Sequence, residues 1–424
     1  MLLYSLYILL SPLIWIALIL SSFFNSKIRN KLVNQRESIS LATKKILKDK
    51  GGREVIIIHA ASAGEYEQTK PIIKKIDREK FFILQTFSSP TIFDSAKEDQ
   101  LFDACCYLPF DFFLSTFTFL RATRATHFIN TRHDVWPNSI ICCRMLKIRS
   151  VLVNANLHSG SMKTKPVARG FFKFIYGELD LIVCPSSRVE KTFNQIGIKK
   201  NLIVISDTRI NQIVNRSRSN PKNMFKENIL DSTNIVFGSI DMTDINVIVK
   251  SMLDLYPNRN LDMKNKKQRV IIVPHECDEK SINEIMQPLE KSCFSFSFFK
   301  PQMDLNNFDI IIVNKTGILA DIYYCSSLAY VGGGFTTGVH NVIEPLVYYN
   351  EVCFGPNTSL LDEAVDLVEA NLGSVVSNSD DLFNIMKNLQ PRSDSNQFDD
   401  EIEAFFKRSN NNINLIINKI FSNE

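Results

Sequence analysis

The feature of this chain that most restricts its fold is a series of short apolar segments separated by intervals of helix length. Alternation of this kind is typical of parallel sheets with helices on both faces. The segments are 54–62, 81–88, 104–108, 127–131, 150–154, 179–185 and 202–206, and then 234–240, 269–274, 295–299, 309–314, 328–331, 351–354 and 373–376. The pattern therefore predicts an α/β protein with doubly wound, Rossmann-like sheets.

The length and one change of composition divide this series into two domains. A chain of 424 residues is too long for one ordinary core. Between residues 211 and 230 the composition changes to Asn, Arg, Ser and Lys, and we see no apolar period there, which favours a linker. We predict a first domain at 26–210 and a second at 231–400, facing each other across a cleft in the GT-B arrangement. The tail, 401–424, has apolar residues at helical spacing and is predicted to pack back on the first domain.

The N-terminal segment, residues 2–24, has no charged side chain and is long enough as a helix to cross the ~30 Å hydrocarbon layer. A basic group follows it: Lys27, Arg29, Lys31 and Arg36. By the positive-inside rule, this group places the rest of the chain in the cytoplasm. We therefore predict that residues 1–25 form a retained N-terminal membrane anchor helix. Pro12 lies inside the segment and could kink it, so a helix lying in the membrane interface is the alternative.

The composition excludes several classes of protein. The chain is 45% hydrophobic and 22% charged, which is typical of a globular protein and not of a disordered one. A net charge of +4 gives no reason to expect nucleic acid as a partner. The nine cysteines form no CxxC pair and the six histidines have no ligand spacing. We therefore expect mostly buried thiols in a reducing compartment, and neither a metal nor a cofactor.

The most informative stretch for function is residues 328–356, where a short apolar strand runs into three glycines, 332–334. Glycines let the backbone turn sharply and come close to a ligand. Asn341 and Glu344 then have the spacing of an N-cap and its N3 partner, and such a helix start attracts anions. Open α/β sheets bind ligands at the carboxyl ends of their strands, where this turn lies. An ordinary tight turn and a purely structural capping box are the alternatives.

Two charged residues of the first domain have positions suited to chemistry. Glu65 follows the segment 54–62 and opens a helix, where the dipole favours its ionised form and makes it available as a proton acceptor. Arg209 lies just beyond the segment 202–206, where its guanidinium could hold a phosphate leaving group. The alternatives are an ordinary first-turn Glu and a solvated loop Arg.

Two more loops belong to the same predicted sheet edge as the glycine turn. Pro274, His275 and Glu276 follow one apolar segment, and the loop 316–319 follows another and precedes a helix. Because the carboxyl ends of parallel strands share one edge, we expect the three loops to converge on one ligand.

Seven motifs carry a family resemblance. They are HAASAGEYEQTKPII (59–73), YLPFD (107–111), VWPNSI (135–140), SDTRI (206–210), VPHE (273–276), NKTGILADIYYCSSLAYVGGGF (314–335) and GVHNVIEP (338–345). In this order they resemble the bacterial 3-deoxy-D-manno-octulosonic acid (Kdo) transferases of lipopolysaccharide synthesis, which use CMP-Kdo to glycosylate the lipid A precursor. The resemblance runs from the N-terminus to about residue 376, and the GGGF and HN-x-x-E elements resemble the Bacteroidetes-type branch.

The resemblance implies a role for each matched position. The family's general base falls on Glu65, its phosphate-side cation on Arg209, and an acidic position of its catalytic motif on Arg132. Its nucleotide contacts fall on Pro274, His275, Gly317, Ile318, Leu319, Asn341, Val342, Ile343 and Glu344. The first domain would then bind the acceptor and the second domain CMP-Kdo, at the cytoplasmic face of the inner membrane.

The implied mechanism is a single inverting displacement without a metal. Glu65 takes the proton from a glucosamine hydroxyl while that oxygen attacks the anomeric carbon of Kdo and CMP leaves. Helix N-termini and Arg209 would stabilise the departing phosphate.

The chain also departs from the family pattern. Arg132 replaces an acid of the Glu-Thr-Glu-x-Trp-Pro-Asn motif, although Asp134 keeps the second acid. The NARLSxRS motif is reduced to NANLHSGS at 154–161 and loses both arginines. The family's Gly-Glu-Leu is Gly-Ile-Leu at 317–319, and Asn211 replaces an Asp. Two alternatives therefore stay open. One is a GT-B transferase with another nucleotide sugar or acceptor, and the other is a catalytically silent membrane-bound paralogue.

Overall fold

The chain forms two compact units in a computed structural model of the protein. The structure describes residues 2–219, 225, 233–301, 303, 309–358, 361–389, 396–410 and 412–422. The first unit consists of Met1–Gln212 and Ser409–Glu424, and the second of Ile213–Arg408.

Each unit contains one sheet, and the strands alternate with helices along the chain. The strands are β1 Glu54–Ala60, β2 Phe81–Phe87, β3 Ala104–Tyr107, β4 Ala125–Thr131, β5 Arg149–Val153, β6 Leu181–Cys184, β7 Leu202–Val204, β8 Thr233–Ile240, β9 Gln268–Pro274, β10 Ser297–Phe298, β11 Ile310–Ile312, β12 Leu328–Val331, β13 Glu351–Phe354 and β14 Gly373–Val375. The helices are α1 Leu2–Leu9, α2 Ser11–Phe24, α3 Ser26–Asp49, α4 Ala63–Ile73, α5 Pro90–Ala96, α6 Phe113–Thr123, α7 Pro137–Leu146, α8 Pro166–Gly177, α9 Ser187–Ile196, α10 Thr208–Ser219, α11 Met242–Leu255, α12 Asn260–Asn265, α13 Glu279–Lys291, α14 Leu319–Ile322, α15 Ile343–Leu346, α16 Asp362–Glu369, α17 Ser379–Asn388, α18 Asn396–Asn410 and α19 Asn412–Phe421.

The two sheets are parallel throughout the described residues. The first has the strand order β3-β2-β1-β4-β5-β6-β7, and the second β10-β11-β9-β8-β12-β13-β14. Every apolar segment predicted as a strand is a strand, so the predicted class of two parallel α/β domains is confirmed. Continuous apolar runs such as that of β1 are stable here because helices bury both faces of the sheet.

The alternation of β1 illustrates this burial. Ile56 and Ile58 lie in one apolar cluster with side chains of α4 and α19. Val55 and Ile57 point to the opposite face and lie in a second cluster with side chains of α3, α6 and α7. Successive side chains of a strand point to opposite faces, so each face of the sheet has its own helical layer.

Both strand orders reverse direction once, and these points position the candidate site. In the first sheet the chain moves outward from β1 through β2 to β3, and then returns to the other side of β1 with β4. In the second sheet the same reversal separates β8 from β12. Loops that leave neighbouring strands in opposite directions open a crevice at the carboxyl edge, where such sheets bind ligands.

The predicted single anchor helix is wrong in form. The apolar segment folds as α1 and α2, which meet at a bend of 51°. Among the described residues no single helix is both long and apolar enough to cross a membrane, and only this bent pair together meets the length and composition. Pro12 lies in the first turn of α2, where its missing amide proton costs no helical hydrogen bond, so a new helix begins there instead of continuing the first.

The region predicted as a linker begins as a helix. α10, Thr208–Ser219, includes the first nine residues of this region, and Ile210, Ile213 and Val214 are buried on it. These residues have the i, i+3, i+4 spacing of an apolar helix face, which was overlooked among the surrounding polar residues. The rest of the predicted linker, apart from Phe225, lies outside the described residues.

The tail contains two helices: α18 ends at Asn410 and α19 begins at Asn412, both within the asparagine-rich segment. Ile416 and Ile420 of α19 are fully buried in the core of the first unit, and the ring of Phe421 stacks on Phe81 at 4.6 Å between centroids.

We expect Ile416→Ala to destabilise the first unit by about 2–5 kcal/mol, because it removes a buried side chain and leaves a cavity. Leu415→Ala on the same helix is the matched control, since Leu415 is 45% exposed and its loss should change stability by about 0.5 kcal/mol or less. Chemical denaturation of both variants measures the difference. Equal midpoints would show that α19 does not contribute to this core.

Candidate active site

Glu65 is a buried carboxylate at the carboxyl end of β1. Ser62 caps α4 by accepting a hydrogen bond from the Glu65 amide, and Oε2 of Glu65 accepts one from the Ala61 amide at 2.6 Å. The residue is 3% exposed. Burial raises the pKa of Glu65, and the charge of Asp134 adds to this, against the Ala61 amide, His59 and Arg132. A carboxylate with a raised pKa is a stronger proton acceptor than one in water.

A histidine–aspartate pair next to Glu65 was not predicted as functional. Nε2 of His59, on β1, lies 2.7 Å from Oδ2 of Asp134, in the loop after β4, and Nδ1 lies 3.0 Å from Oγ1 of Thr86 on β2. Burial acts to raise the pKa of Asp134, but the hydrogen bond and the charge of His59 outweigh it, so this pKa is lowered. The signal in the sequence was a histidine inside an otherwise apolar strand, which must find a polar partner when buried.

Arg132 lies in the same loop as Asp134, in a left-handed backbone conformation with φ of 60°. Its amide donates to the Val153 carbonyl at 2.9 Å, and its carbonyl accepts from the Asn156 amide at 3.1 Å. The charge of Arg132 acts to lower the pKa of Glu65. A left-handed conformation is uncommon for a residue other than glycine and is maintained here by these two bonds to the loop after β5.

Arg209 is the second residue of α10 and not a loop residue as expected. Its amide donates to Oδ1 of Asp207 at 2.7 Å. The start of α10 is tied to the helix of Glu65, because Gln68 donates to Asp207 at 2.7 Å and Thr208 donates to the Gln68 carbonyl at 2.7 Å. The structure therefore connects the backbones that carry Glu65 and Arg209 within the first unit.

In the second unit a buried carboxylate holds the glycine turn after β12. Asp244 of α11 accepts hydrogen bonds from the Gly333 amide at 2.9 Å, the Tyr330 hydroxyl at 2.7 Å and the Asp241 amide at 3.0 Å. Burial raises the pKa of Asp244, and these three donors oppose that shift. Sequence reasoning missed Asp244, although the capping box that it forms with Asp241 was visible as an Asp-x-x-Asp pattern.

The three glycines are required by the protein's own backbone. A Cβ atom on Gly332 would lie 2.3 Å from the Ser239 carbonyl oxygen, and one on Gly334 would lie 2.5 Å from Cα of Gly355. Gly333 has φ of +85°, which side chains rarely allow. Internal packing thus accounts for all three glycines, and their approach to a ligand stays a prediction.

The Asn-x-x-Glu pattern forms a different helix start from the one predicted. Oδ1 of Asn341 accepts from the Ile343 amide at 3.0 Å, and α15, which has only four residues, takes Val342 as its N-cap without a side-chain hydrogen bond. Glu344 is 3.4 Å from the Arg216 guanidinium instead of completing a capping box. The short Asn side chain reaches the amide two residues ahead, which forms an Asx turn and displaces the helix start by one residue. The dipole of a single turn contributes little to anion binding.

The three predicted loops leave strands β11, β9 and β12 at the carboxyl edge of the second sheet, where β8 separates β9 from β12. Pro274 ends β9 and His275 follows it, Gly317 to Leu319 follow β11, and residues 341–344 follow β12. The rings of His275 and His340 stack at 4.3 Å between centroids. Burial, and then the neighbouring His275, lower the pKa of His340, which favours its neutral form. His340 was not among the predicted contacts.

Gly317 and Ile318 shape the loop between β11 and α14. Gly317 has φ of +80°, and a Cβ atom there would meet nothing within 4 Å, so its conformation and not crowding explains the glycine. Ile318 precedes α14 and is 8% exposed. Among the described residues no group of three or more His, Cys, Asp or Glu side chains is placed to hold a metal ion.

Comparison with solved structures supports the fold. A putative UDP-N-acetylglucosamine 2-epimerase from Listeria monocytogenes aligns with a TM-score of 0.60 at 11% identity, covering 87% of this chain and 96% of the other. At this identity the likeness concerns the fold alone.

The sequence comparisons are specific about the family. Residues 33–212 match the family described as "3-Deoxy-D-manno-octulosonic-acid transferase (kdotransferase)". A 3-deoxy-D-manno-octulosonic acid transferase of Chlamydia muridarum is 25% identical over 350 residues, 80% of this chain and 79% of the relative. One from Aquifex aeolicus is 26% identical over 335 residues, 78% and 85% of the two chains.

The protein has parallel α/β units with charged groups at their carboxyl edges. Together with these relatives, this fold defines the protein as a glycosyltransferase. Over residues 33–212 the chain is similar to the family of Kdo transferases, and the relatives named for that activity align with 80% and 78% of it. Its resemblance to the Bacteroidetes-type branch stays a prediction.

We expect Gly332→Ala to destabilise the second unit by about 1–3 kcal/mol, because the added methyl group overpacks the backbone at the end of β8. Gly52→Ala, whose Cβ meets nothing within 4 Å, is the control and should be close to neutral. Thermal unfolding followed by circular dichroism compares them. A Gly332 variant as stable as its control would contradict the packing argument.

Proposed function

We propose that the protein transfers Kdo from CMP-Kdo to the lipid A precursor in a single inverting displacement, as part of lipopolysaccharide synthesis. The observation that carries the proposal is the buried carboxylate of Glu65 at the switch point of the first sheet. The names of the relatives support the donor sugar.

Glu65 is assigned the role of general base. The reaction transfers the proton of a glucosamine hydroxyl to Glu65 as the hydroxyl oxygen bonds to the anomeric carbon and the bond from that carbon to the CMP phosphate breaks. Burial and the nearby negative charge of Asp134 raise its pKa, which supports this role. His59 holds Asp134 in place through the 2.7 Å contact.

Arg209 and Arg132 are assigned to the negative charge that accumulates on the phosphate and around the base. An arginine is always charged and presents several donors, so it stabilises an anionic leaving group. Arg209 enters the proposal as the phosphate contact. Arg132 replaces a family acid, and its effect on the pKa of Glu65 supports a place in the catalytic set.

The second unit is assigned the CMP moiety. The proposed contacts are Pro274, His275, Gly317, Ile318, Leu319, Asn341, Val342, Ile343 and Glu344. Their loops leave parallel strands of the same sheet at its carboxyl edge, which supports a common ligand. The GT-B arrangement, in which two such units act on one pair of substrates, is part of the proposal.

We also propose attachment to the cytoplasmic face of the inner membrane through α1 and α2. Large apolar side chains on this pair are exposed, among them Leu9 at 74%, Phe23 at 70% and Phe24 at 93%. A pair of apolar helices that lies in the interface explains a bend of 51° better than a straight span does.

A GT-B transferase with another acceptor is the second candidate. It is favoured by the sequence NANLHSGS, from which both family arginines are missing. Purified protein incubated with CMP-Kdo and tetraacylated lipid A precursor, with the products followed by mass, separates the two. Absence of a Kdo adduct, where a known family member forms one, would contradict the leading proposal and also fit a catalytically silent paralogue.

Glu65→Gln is expected to lower the transfer rate about 100- to 10,000-fold while leaving CMP binding unchanged, because it removes the proton acceptor only. Glu67→Gln on the same helix is the matched control, since Glu67 is partly exposed and pairs with Lys70 at 2.5 Å. Initial rates and calorimetric CMP titrations measure the two effects. Transfer by the Glu65 variant at the wild-type rate would mean that the base is misassigned.

Arg132→Gln is expected to move the acidic limb of the pH–rate profile to higher pH. A base works only when deprotonated, so the rate falls as the pH drops through the pKa of Glu65. Arg132 lowers that pKa, and its loss therefore raises it.

Arg124→Gln is the control for this shift. Arg124 also has a left-handed backbone, with φ of 52°, but precedes β4 at the opposite edge of the sheet. Profiles of kcat/KM from pH 4 to 9 compare the variants. If the acidic limb of the Arg132 variant stays at the wild-type pH, Arg132 does not act on the pKa of the base.

A further inference from the structure

Two histidine rings lie against each other at the carboxyl edge of the second sheet. The rings of His275 and His340 are 4.3 Å apart between centroids, and their planes differ by 16°. His275 comes directly after β9, and His340 lies in the loop between β12 and α15. A parallel contact between flat rings from two separate loops restricts the orientation of each ring relative to the other.

The two rings differ in exposure. His275 is exposed, and its amide donates to the Ile240 carbonyl at 3.0 Å, so its backbone is fixed at the end of β8 while its side chain reaches solvent. His340 is half-buried. An exposed side chain loses rotamer freedom when a ligand orders it, and a side chain that already rests on a half-buried ring has less freedom to lose. His340 therefore serves as a platform for His275.

The glycine turn after β12 fixes the position of His340. The Gly338 amide donates to the Gly333 carbonyl at 3.0 Å, and the His340 amide donates to the Gly332 carbonyl at 3.2 Å. These bonds bring the chain back beside the turn. A Cβ atom on Gly333 would lie 3.0 Å from Cδ2 and from Nε2 of His340. The missing side chain of Gly333 thus leaves the space against which the His340 ring packs.

The turn itself is anchored in the interior of the unit. The Gly333 amide donates to Oδ2 of the buried Asp244 at 2.9 Å, and the hydroxyl of the buried Tyr330 donates to Oδ1 at 2.7 Å. A series of contacts therefore runs from a buried carboxylate through Gly333 and the His340 ring to the exposed ring of His275.

The surroundings favour the neutral form of His340. Burial, and then the neighbouring His275, lower its pKa, and the charge of Asp241 acts in the opposite direction. Asp241 is the N-cap of α11 and also accepts from the Thr336 hydroxyl at 2.7 Å. A neutral imidazole does not repel a protonated neighbour as a second cation would, so the stack is compatible with either form of His275.

We propose that His340 is a positioning residue for the donor substrate, because it holds the His275 ring in the orientation that contacts the nucleotide of CMP-Kdo. The inference rests on the proposed function, in which His275 is a CMP contact, and it adds a residue outside the proposed contacts. His340 acts through His275 and needs no contact of its own with the nucleotide. The position requires a flat ring, and its nitrogen atoms are not essential.

The test combines calorimetric titration of CMP with the KM values of both substrates. We expect His340→Ala to raise the Kd for CMP and the KM for CMP-Kdo about 3- to 10-fold, because the ordering of His275 then opposes binding. The KM for the lipid acceptor should not change. His340→Phe keeps a flat ring and should restore the wild-type values. Thr337→Ala removes an exposed side chain from the same loop and is the matched control, with no effect expected.

A double-mutant cycle separates positioning from a general structural role. In a His275→Ala protein, His340→Ala should have no further effect on CMP affinity, because the ring that His340 supports is gone. If the two substitutions instead weaken CMP binding independently, His340 does not act through His275 and the inference is overturned.

His340→Leu keeps the inference testable if His340→Ala does not fold. Leucine fills similar space without a flat ring, so the Leu variant should bind CMP more weakly than the Phe variant. Equal CMP affinity of these two variants would overturn the inference, because bulk alone would then be sufficient at this position.

CMP binding and Kdo transfer distinguish this inference from the proposed function. Wild type that binds CMP, with the expected loss in His340→Ala, but transfers no Kdo would contradict the proposed function only. Wild type that transfers Kdo while His340→Ala keeps the wild-type Kd and KM would overturn the inference only.

Discussion

In a parallel sheet every strand releases the chain at the same edge, and most of this protein depends on that constraint. Each sheet changes winding direction once, between β1 and β4 and between β8 and β12. At these points neighbouring strands send their loops apart, so the edge stays open to a ligand. Glu65 and Arg132 follow the first pair of strands, and the glycine turn follows β12. Motifs that are far apart in sequence therefore meet along two short edges.

The charges at the first edge act on one another because water is largely excluded. Asp134 raises the pKa of Glu65, while Arg132 and His59 lower it. In a low-dielectric environment such effects are much larger than at a surface, and the balance decides how strong a base Glu65 is. Arg132 is one of the charges that set this balance, which makes the pH dependence of the protein informative about its chemistry.

Close packing of backbone explains features that looked like ligand contacts. Gly332 and Gly334 have neighbours from β8 and from Gly355 that leave no room for a Cβ atom. Asp244 then holds the turn by accepting a hydrogen bond from the Gly333 amide. The same principle applies to His340, whose ring packs against the Gly333 backbone and stacks on the His275 ring. A rigid turn and a supported ring are both conditions for a well-defined binding site.

The sequence by itself determined the strands, the parallel α/β class and the family resemblance, because apolar runs at helix-length intervals and ordered motifs are local patterns. It also determined that Glu65 opens a helix after β1. The kink at Pro12 was foreseen only as the alternative to a straight anchor helix. The helical start of the predicted linker was missed, because its three spaced apolar residues lie among polar ones. Only the tertiary structure decided that His59 meets Asp134, that Asp244 holds the glycine turn, and that Lys31 is buried beside the Phe110 ring. These contacts join residues far apart in the chain, and their energies depend on burial, which no local pattern contains.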